Sequence, residues 1–220
     1  MFDVSHVSLP RQDNAAEEIA NSVTHGLACC FSVVGAAVLL YLAGTSGETT
    51  HLVACAVFGV TMTLLYGTST LYHGVSKSSL KRILRVCDHI SIYLFIAGSY
   101  TPFLLIHFDD GFGWALLATV WSIAVAGTIF KLFFTGRFAR LSVALYIAMG
   151  WLIVLGFERL MEAVPSGCLA WLAAGGLLYT GGVVFFAWKD LPFNHAIWHL
   201  FVIAGSICHY IAVVRYIIPQ

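Results

Sequence analysis

Seven apolar runs, each close to twenty residues long, constrain this chain more than any other feature. A helix needs ~20 residues to cross the ~30 Å hydrocarbon core of a bilayer. The runs fall at 23–43, 51–72, 87–106, 113–133, 139–158, 168–188 and 195–217. They are continuous, unlike the ~10-residue alternating segments of a transmembrane barrel. Composition agrees: 60% of the residues are hydrophobic, only 10% are charged, and mean hydropathy is +0.88. Soluble domains carry about 25% charged residues. A soluble globular enzyme, a disordered chain, a coiled coil and a disulfide-stapled secreted domain are therefore excluded together. The predicted fold class is all-α, a seven-transmembrane helix bundle over residues 23–217 behind a polar N-terminal arm, residues 1–22.

The arm shows no basic segment before a short apolar core and no small-residue cleavage site, so it is not read as a signal peptide. Its carboxylates, Asp13, Glu17 and Glu18, precede Asn21 and Ser22. Asp13 or Asn14 suits the cap of a helix that begins here, and early carboxylates favour a helix N-terminus. The connections are short and turn-rich: Gly44 to Gly47, Asp109 to Gly111, Pro165 to Gly167, and Pro192 with Asn194. Pro102 is expected to kink or end the third span. The six cysteines form no CxxC pair and nearly all lie within apolar runs. They read as small buried hydrophobes rather than a disulfide framework.

Eleven basic residues balance eleven acidic ones, which gives no reason to expect nucleic acid as a partner. Sorted by loop, the same basic residues become informative. Arg11, Lys77, Lys81, Arg82, Arg85, Lys131, Arg137, Arg140 and Lys189 fall on one side; Arg159 and Arg215 fall on the other. By the positive-inside rule, the N-terminus and the basic loops face the cytoplasm and the C-terminus lies opposite.

Ionisable groups in or near apolar spans mark functional candidates. His195 and His199 stand four apart at the start of the seventh span, so both project from nearly one helix face, ~6 Å apart. That is metal-ligand spacing. His73 ends the second span, with Ser69 one turn before it. Asp88 opens the third. The topology puts the ends of these three spans on the same side, so His73, Asp88, His195 and His199 share one membrane depth. Three imidazoles match a known zinc arrangement in which water takes the fourth position. Zinc lowers the pKa of such water towards ~7. Asp88 can accept its proton, and Ser69 can hydrogen-bond a ligand, the water or a substrate carbonyl. His25 begins the first span at the same depth, as a fourth ligand or a supporting group. His89 points ~100° from Asp88 and is expected to face elsewhere. His209 lies ten residues past His199, ~15 Å deeper, and reads as a hydrogen-bonded interior residue. Lys131 and Glu158 are expected at span ends.

The motifs resemble those of the progestin and adipoQ receptor family, in its bacterial hemolysin III branch. The matching segments are Glu18-x-x-Asn21-x-x-x-His25, Ser69-x-x-Tyr72-His73, Asp88-His89 running to Gly98-Ser99-Tyr100-Thr101-Pro102, and Asn194-His195-x-x-x-His199. They cover almost the whole chain in the family's order. The chain looks similar to the short bacterial inner-membrane members. The resemblance implies seven helices, a cytoplasmic N-terminus and Zn near the cytoplasmic leaflet held by His73, His195 and His199. It places Asp88 at the water and Ser69 nearby, with Glu18, Asn21, Tyr72 and His25 in supporting positions. The wider superfamily includes alkaline ceramidases, so the implied chemistry is hydrolysis of a lipid amide or ester, with a membrane lipid as substrate. Receptor members bind hormones through a long N-terminal domain; the short arm here gives no reason to expect a soluble protein hormone.

Three functions compete at this level. A zinc-dependent intramembrane hydrolase explains why the histidines and a carboxylate share one depth. A receptor or membrane-homeostasis sensor with structural zinc uses nearly the same residues. A cytolysin or pore, as the branch name implies, would need charged or polar linings that the spans lack.

Overall fold

Helices fill the structure, a computed structural model that describes residues 7, 14–45, 47–108 and 110–218. Eight α-helices follow in chain order: α1 Ala15–Thr45, α2 Thr49–Gly74, α3 Ser78–His107, α4 Gly111–Phe134, α5 Ala139–Gly150, α6 Phe157–Ala163, α7 Ser166–Ala187 and α8 Asn194–Tyr216. A 3₁₀ segment, Leu152–Gly156, joins α5 to α6, and the three make one span, so seven spans are long and apolar enough to cross a membrane. Large apolar side chains such as Phe31, Tyr41, Leu155 and Leu177 point outward. In water that would drive association; in lipid it is the expected exterior, because helices satisfy their backbone internally.

All seven predicted spans are present. The first helix begins at Ala15, directly after the proposed cap at Asn14, and runs without a break into the apolar run at 23, so Glu18 and Asn21 stand on the same helix as the first span. Asn14 caps it, its Oδ1 accepting from the Ala16 N–H at 3.2 Å. The other proposed cap, Asp13, lies outside the described residues, as do His6, Arg11, Ser46 and Asp109. The third span starts at Ser78, well before residue 87. It also runs through Pro102 to His107, so proline does not end it. The Thr101 hydroxyl donates to the Ala97 carbonyl there at 2.9 Å.

The fifth span departs most from expectation. It is read as continuous over 139–158 but leaves α-helix at Trp151. The cause is a side chain from α3. The Tyr100 hydroxyl donates to the Gly150 carbonyl at 2.8 Å and accepts from the Ile153 N–H at 3.1 Å. A hydroxyl inserted into the ladder replaces the helix's own bonds and permits the break.

Helices α1, α2 and α3 pack in order, α7 packs on α8, and α8 closes back on α1. The fifth span bridges α3 and α7, and α4 packs against α3. These segments surround an internal cavity of about 430 Å³. Small residues allow the close approaches. A Cβ at Gly205 of α8 would lie 2.6 Å from the Tyr179 ring of α7, the small-residue contact typical of membrane helices. The cysteines are free, with Cys55, Cys168 and Cys208 buried.

Candidate metal centre

The buried side of α1 is a narrow stripe: Asn21, His25, Ala28, Ser32, Leu39 and Ala43. This spacing keeps one face toward α2 and α8. The N-terminal part of the stripe is polar, and it meets the C-terminal end of α2 and the N-terminal end of α8. There His73, His195 and His199 converge. Each offers a ligand atom, and the three atoms lie within 4.8 Å of one another. Ring centroids are 5.0 Å apart for His73–His195, 5.4 Å for His73–His199 and 4.6 Å for His195–His199.

Hydrogen bonds from α1 orient two of these rings. His73 Nδ1 lies 2.7 Å from Glu18 Oε2. An ionised carboxylate only accepts, so the hydrogen sits on Nδ1 and the lone pair on Nε2. His199 Nδ1 lies 3.1 Å from Thr24 Oγ1, whose own hydrogen goes to the Ala20 carbonyl at 2.8 Å. Again Nδ1 donates and Nε2 keeps its lone pair. Both Nε2 atoms are buried, and neither has a hydrogen-bond partner. Bare lone pairs converging in a buried site need a cation or a donor between them. Metal-bound histidines characteristically donate their second nitrogen to a carboxylate or another oxygen in this way. The donor set therefore fits a divalent metal with a preference for imidazole nitrogen.

Other predicted residues surround the group. Glu18 also accepts from Lys81 Nζ at 2.9 Å, and Lys81 sits 5.0 Å from the centre of the Tyr72 ring. Tyr72 packs on His73 at 4.7 Å between centroids. Asn21 is buried, with neither side-chain polar atom hydrogen-bonded. His25 does not join the three-histidine group. Its ring stacks on His199 at 3.5 Å, and its Nδ1 is 2.7 Å from Ser69 Oγ. Asp88, Ser69, His25 and His195 all line the internal cavity, so it opens directly onto the histidine group.

Two expectations fail here. His89 does not face elsewhere; it lines the same cavity as Asp88. The cavity is broad enough to span their ~100° separation. Lys131 does stand at a span end, in the last turn of α4, yet it is buried. It is 2% exposed and its Nζ donates to Ser142 Oγ of α5 at 2.6 Å. His209 also differs from the expected hydrogen-bonded residue: neither ring nitrogen has a partner, and the ring stands edge-on to Tyr179 at 5.4 Å.

Several contributors escaped sequence reasoning. Thr24 carries the partner of His199 but reads as an ordinary helical threonine. Glu17 accepts from the Phe193 N–H at 2.9 Å. Phe193 precedes α8 in a left-handed conformation, so α1 secures the helix that carries two histidines. Asn194 secures its other side, donating to the Phe185 carbonyl of α7 at 3.1 Å.

Fold and site first define a class: a multi-pass helical membrane protein whose buried three-histidine group can hold a metal ion. The particular family follows from comparison. A family model described as Haemolysin-III related matches residues 14–210, and the chain belongs to that family. It is 45% identical to Hemolysin-3 of Bacillus cereus over 203 residues, covering 92% of this chain and 93% of that protein. It is 42% identical to the Hemolysin-3 homolog of Bacillus subtilis (strain 168), covering 91% and 94%. The human Monocyte to macrophage differentiation factor is 32% identical over 207 residues, covering 91% and 84%.

Proposed function

We propose that this is a zinc-dependent intramembrane hydrolase of the bacterial inner membrane, acting on a lipid amide or ester, with its basic loops in the cytoplasm. One observation carries the reading: two Nε2 lone pairs, fixed by Glu18 and Thr24, converge beside a carboxylate at the head of an apolar cavity. His73, His195 and His199 would hold zinc. Zinc there supplies Lewis acidity and makes water acidic enough to ionise near neutral pH. The cavity would receive the acyl chain and exclude bulk water. Asp88 would take the proton of the attacking water and return it to the departing amine or alcohol. Ser69, which lines the cavity with Asp88, would hydrogen-bond the water or the substrate carbonyl. The products are a fatty acid and an amine or alcohol.

The test is purification without chelators, followed by elemental analysis and mass spectrometry of lipids incubated with the protein. Zinc should co-purify and fatty acid should accumulate. Asp88→Asn should keep the metal and lose turnover. Wild-type protein lacking zinc, or unchanged turnover in Asp88→Asn, overturns the reading.

The name Hemolysin-3, carried by the Bacillus cereus relative, favours cytolysis as a second reading. Conductance of the purified protein in planar bilayers would support it. The first reading predicts none.

A further inference from the structure

Lys131 and Ser142 make a contact that the hydrolase reading does not use. Lys131 Nζ lies 2.6 Å from Ser142 Oγ, across eleven residues of chain. A tight turn brings them together. Gly136 (φ 86°) and Phe138 (φ 56°) are both left-handed, and the Arg137 N–H donates back to the Phe134 carbonyl at 2.9 Å. That conformation is costly for phenylalanine, and such strain collects at functional sites. The Phe138 carbonyl also accepts from Ser142 Oγ at 3.2 Å, so the strained residue holds the hydroxyl in place. Lys131 and Ser142 are each 2% exposed, and both line the internal cavity.

The surroundings of Lys131 suit a base better than a fixed cation. Among the described residues its Nζ forms no ion pair. The Phe130 and Tyr146 rings lie 6.0 and 5.9 Å away, at the limit of cation–π attraction. An ammonium is costly in such a place, and lysines in apolar pockets serve as bases and nucleophiles. A serine hydroxyl within hydrogen-bond reach of such a base is an activated nucleophile, and serine–lysine pairs are one variant of the catalytic triad. Phe138 gives α5 no side-chain cap, so the first-turn N–H groups are available to a developing oxyanion. The pair stands on the last turn of α4 and the first turn of α5, near the membrane interface where lipid ester carbonyls lie. The walls beyond it are mainly apolar, including Ile92, Phe103 and Leu172, and fit an acyl chain.

We propose that Lys131 and Ser142 form a serine–lysine dyad that cleaves a lipid carboxylic ester through an acyl-Ser142 intermediate. Ser142 Oγ attacks the ester carbonyl carbon as its proton passes to Lys131 Nζ. The bond from that carbon to the alcohol oxygen breaks, and the departing oxygen takes the proton from Nζ. Water then adds to the acyl carbon, giving its proton to Lys131, which returns it to Ser142 Oγ as the acyl–oxygen bond breaks. The net change is ester plus water to fatty acid plus alcohol. The dyad uses no metal and stands apart from the hydrolase reading, in which the protein carries no acyl group.

The experiment treats the metal-loaded protein, in a neutral detergent, with dodecyl fluorophosphonate and locates the adduct by peptide mass spectrometry. Ser142 Oγ should displace fluoride at phosphorus, its proton going to Lys131, and leave the phosphonate on Ser142. A second sample, quenched in acid during turnover of 4-nitrophenyl laurate, should carry laurate on the same residue. Lys131→Arg keeps a cation and a donor to Ser142 but cannot take a proton. It should slow labelling by about a hundredfold or more, the usual worth of a general base, while a structural cation would be replaced without loss. Lys131→Met covers the case in which arginine does not fit, and should slow labelling as much. Wild-type protein with no adduct on Ser142 overturns the proposal whatever the variants do. Labelling of Lys131→Arg at the wild-type rate overturns it too, because the lysine would then be no base. A Ser142 that takes the phosphonate but never laurate has no acyl chemistry and overturns it as well. None of these results touches the metal-dependent reading, whose own test is the metal content and the Asp88→Asn variant.

Discussion

Glu18 of α1 and His73 of α2 lie 55 residues apart in sequence and 2.7 Å apart in space. The contact fixes the tautomer of His73 and turns Nε2 toward His195 and His199. Glu18→Gln keeps the shape but weakens the acceptor and frees Lys81. Such partners of metal-bound histidines are worth about 10–100-fold in metal affinity. We expect a loss in that range, with helix content unchanged, in zinc titrations of chelator-stripped protein monitored by circular dichroism.

Removal of the metal should loosen three helices together, since the histidines sit on α2 and α8 and their partners on α1. Anything that binds only the folded state stabilises it by mass action, about 2.7 kcal/mol at a hundredfold excess over Kd. Chelation should therefore lower the thermal midpoint in detergent, and added zinc should restore it. His199→Ala should sit near the chelated midpoint and respond to neither treatment.

The break in the fifth span rests on one hydroxyl. Tyr100→Phe keeps the ring but strands the Ile153 N–H and removes a donor from the Gly150 carbonyl. An orphaned buried backbone group costs about 1–3 kcal/mol. A lower thermal midpoint with normal zinc content is the expected result. A mutant as stable as wild type would show that α5 can run straight on without the hydroxyl.

At the other membrane face, Asp110 caps α4. Its Oδ1 accepts from the Gly113 N–H at 2.9 Å, and its other oxygen meets Arg159. The Gly113 bond first, and then the Arg159 charge, hold this carboxyl below its ordinary range. A depressed folded value means the contribution is complete above the unfolded pKa, ~3.9, and disappears as pH falls through the lower folded value. Asp110→Asn preserves the cap but not the charge. It should lower the neutral plateau slightly and flatten the acid limb, with the two midpoint-against-pH curves converging at low pH.

The sequence made the helices legible because lipid imposes one length and one polarity on every span. It made His73, His195 and His199 legible because two stand one turn apart and the third shares their depth. What it hid were relations between helices. Thr24 is indistinguishable from any helical threonine until α8 is seen beside it. Tyr100 breaks a helix fifty residues away. The burial of Lys131 was hidden because it depends on how α4 and α5 meet, which no local pattern records. His89 was misplaced because an angular argument about one helix says nothing about the width of the space it faces.

Helix α1 contributes no member of the three-histidine group, yet Glu18 and Thr24 belong to the site as fully as the imidazoles do. Docking of α1 and capture of a metal ion by that group would consequently be linked equilibria. Whatever free energy the seated helix adds to metal affinity, the ion must return to the seating of the helix. A change in bilayer thickness or composition that shifts α1 would thus be registered as a change in metal occupancy.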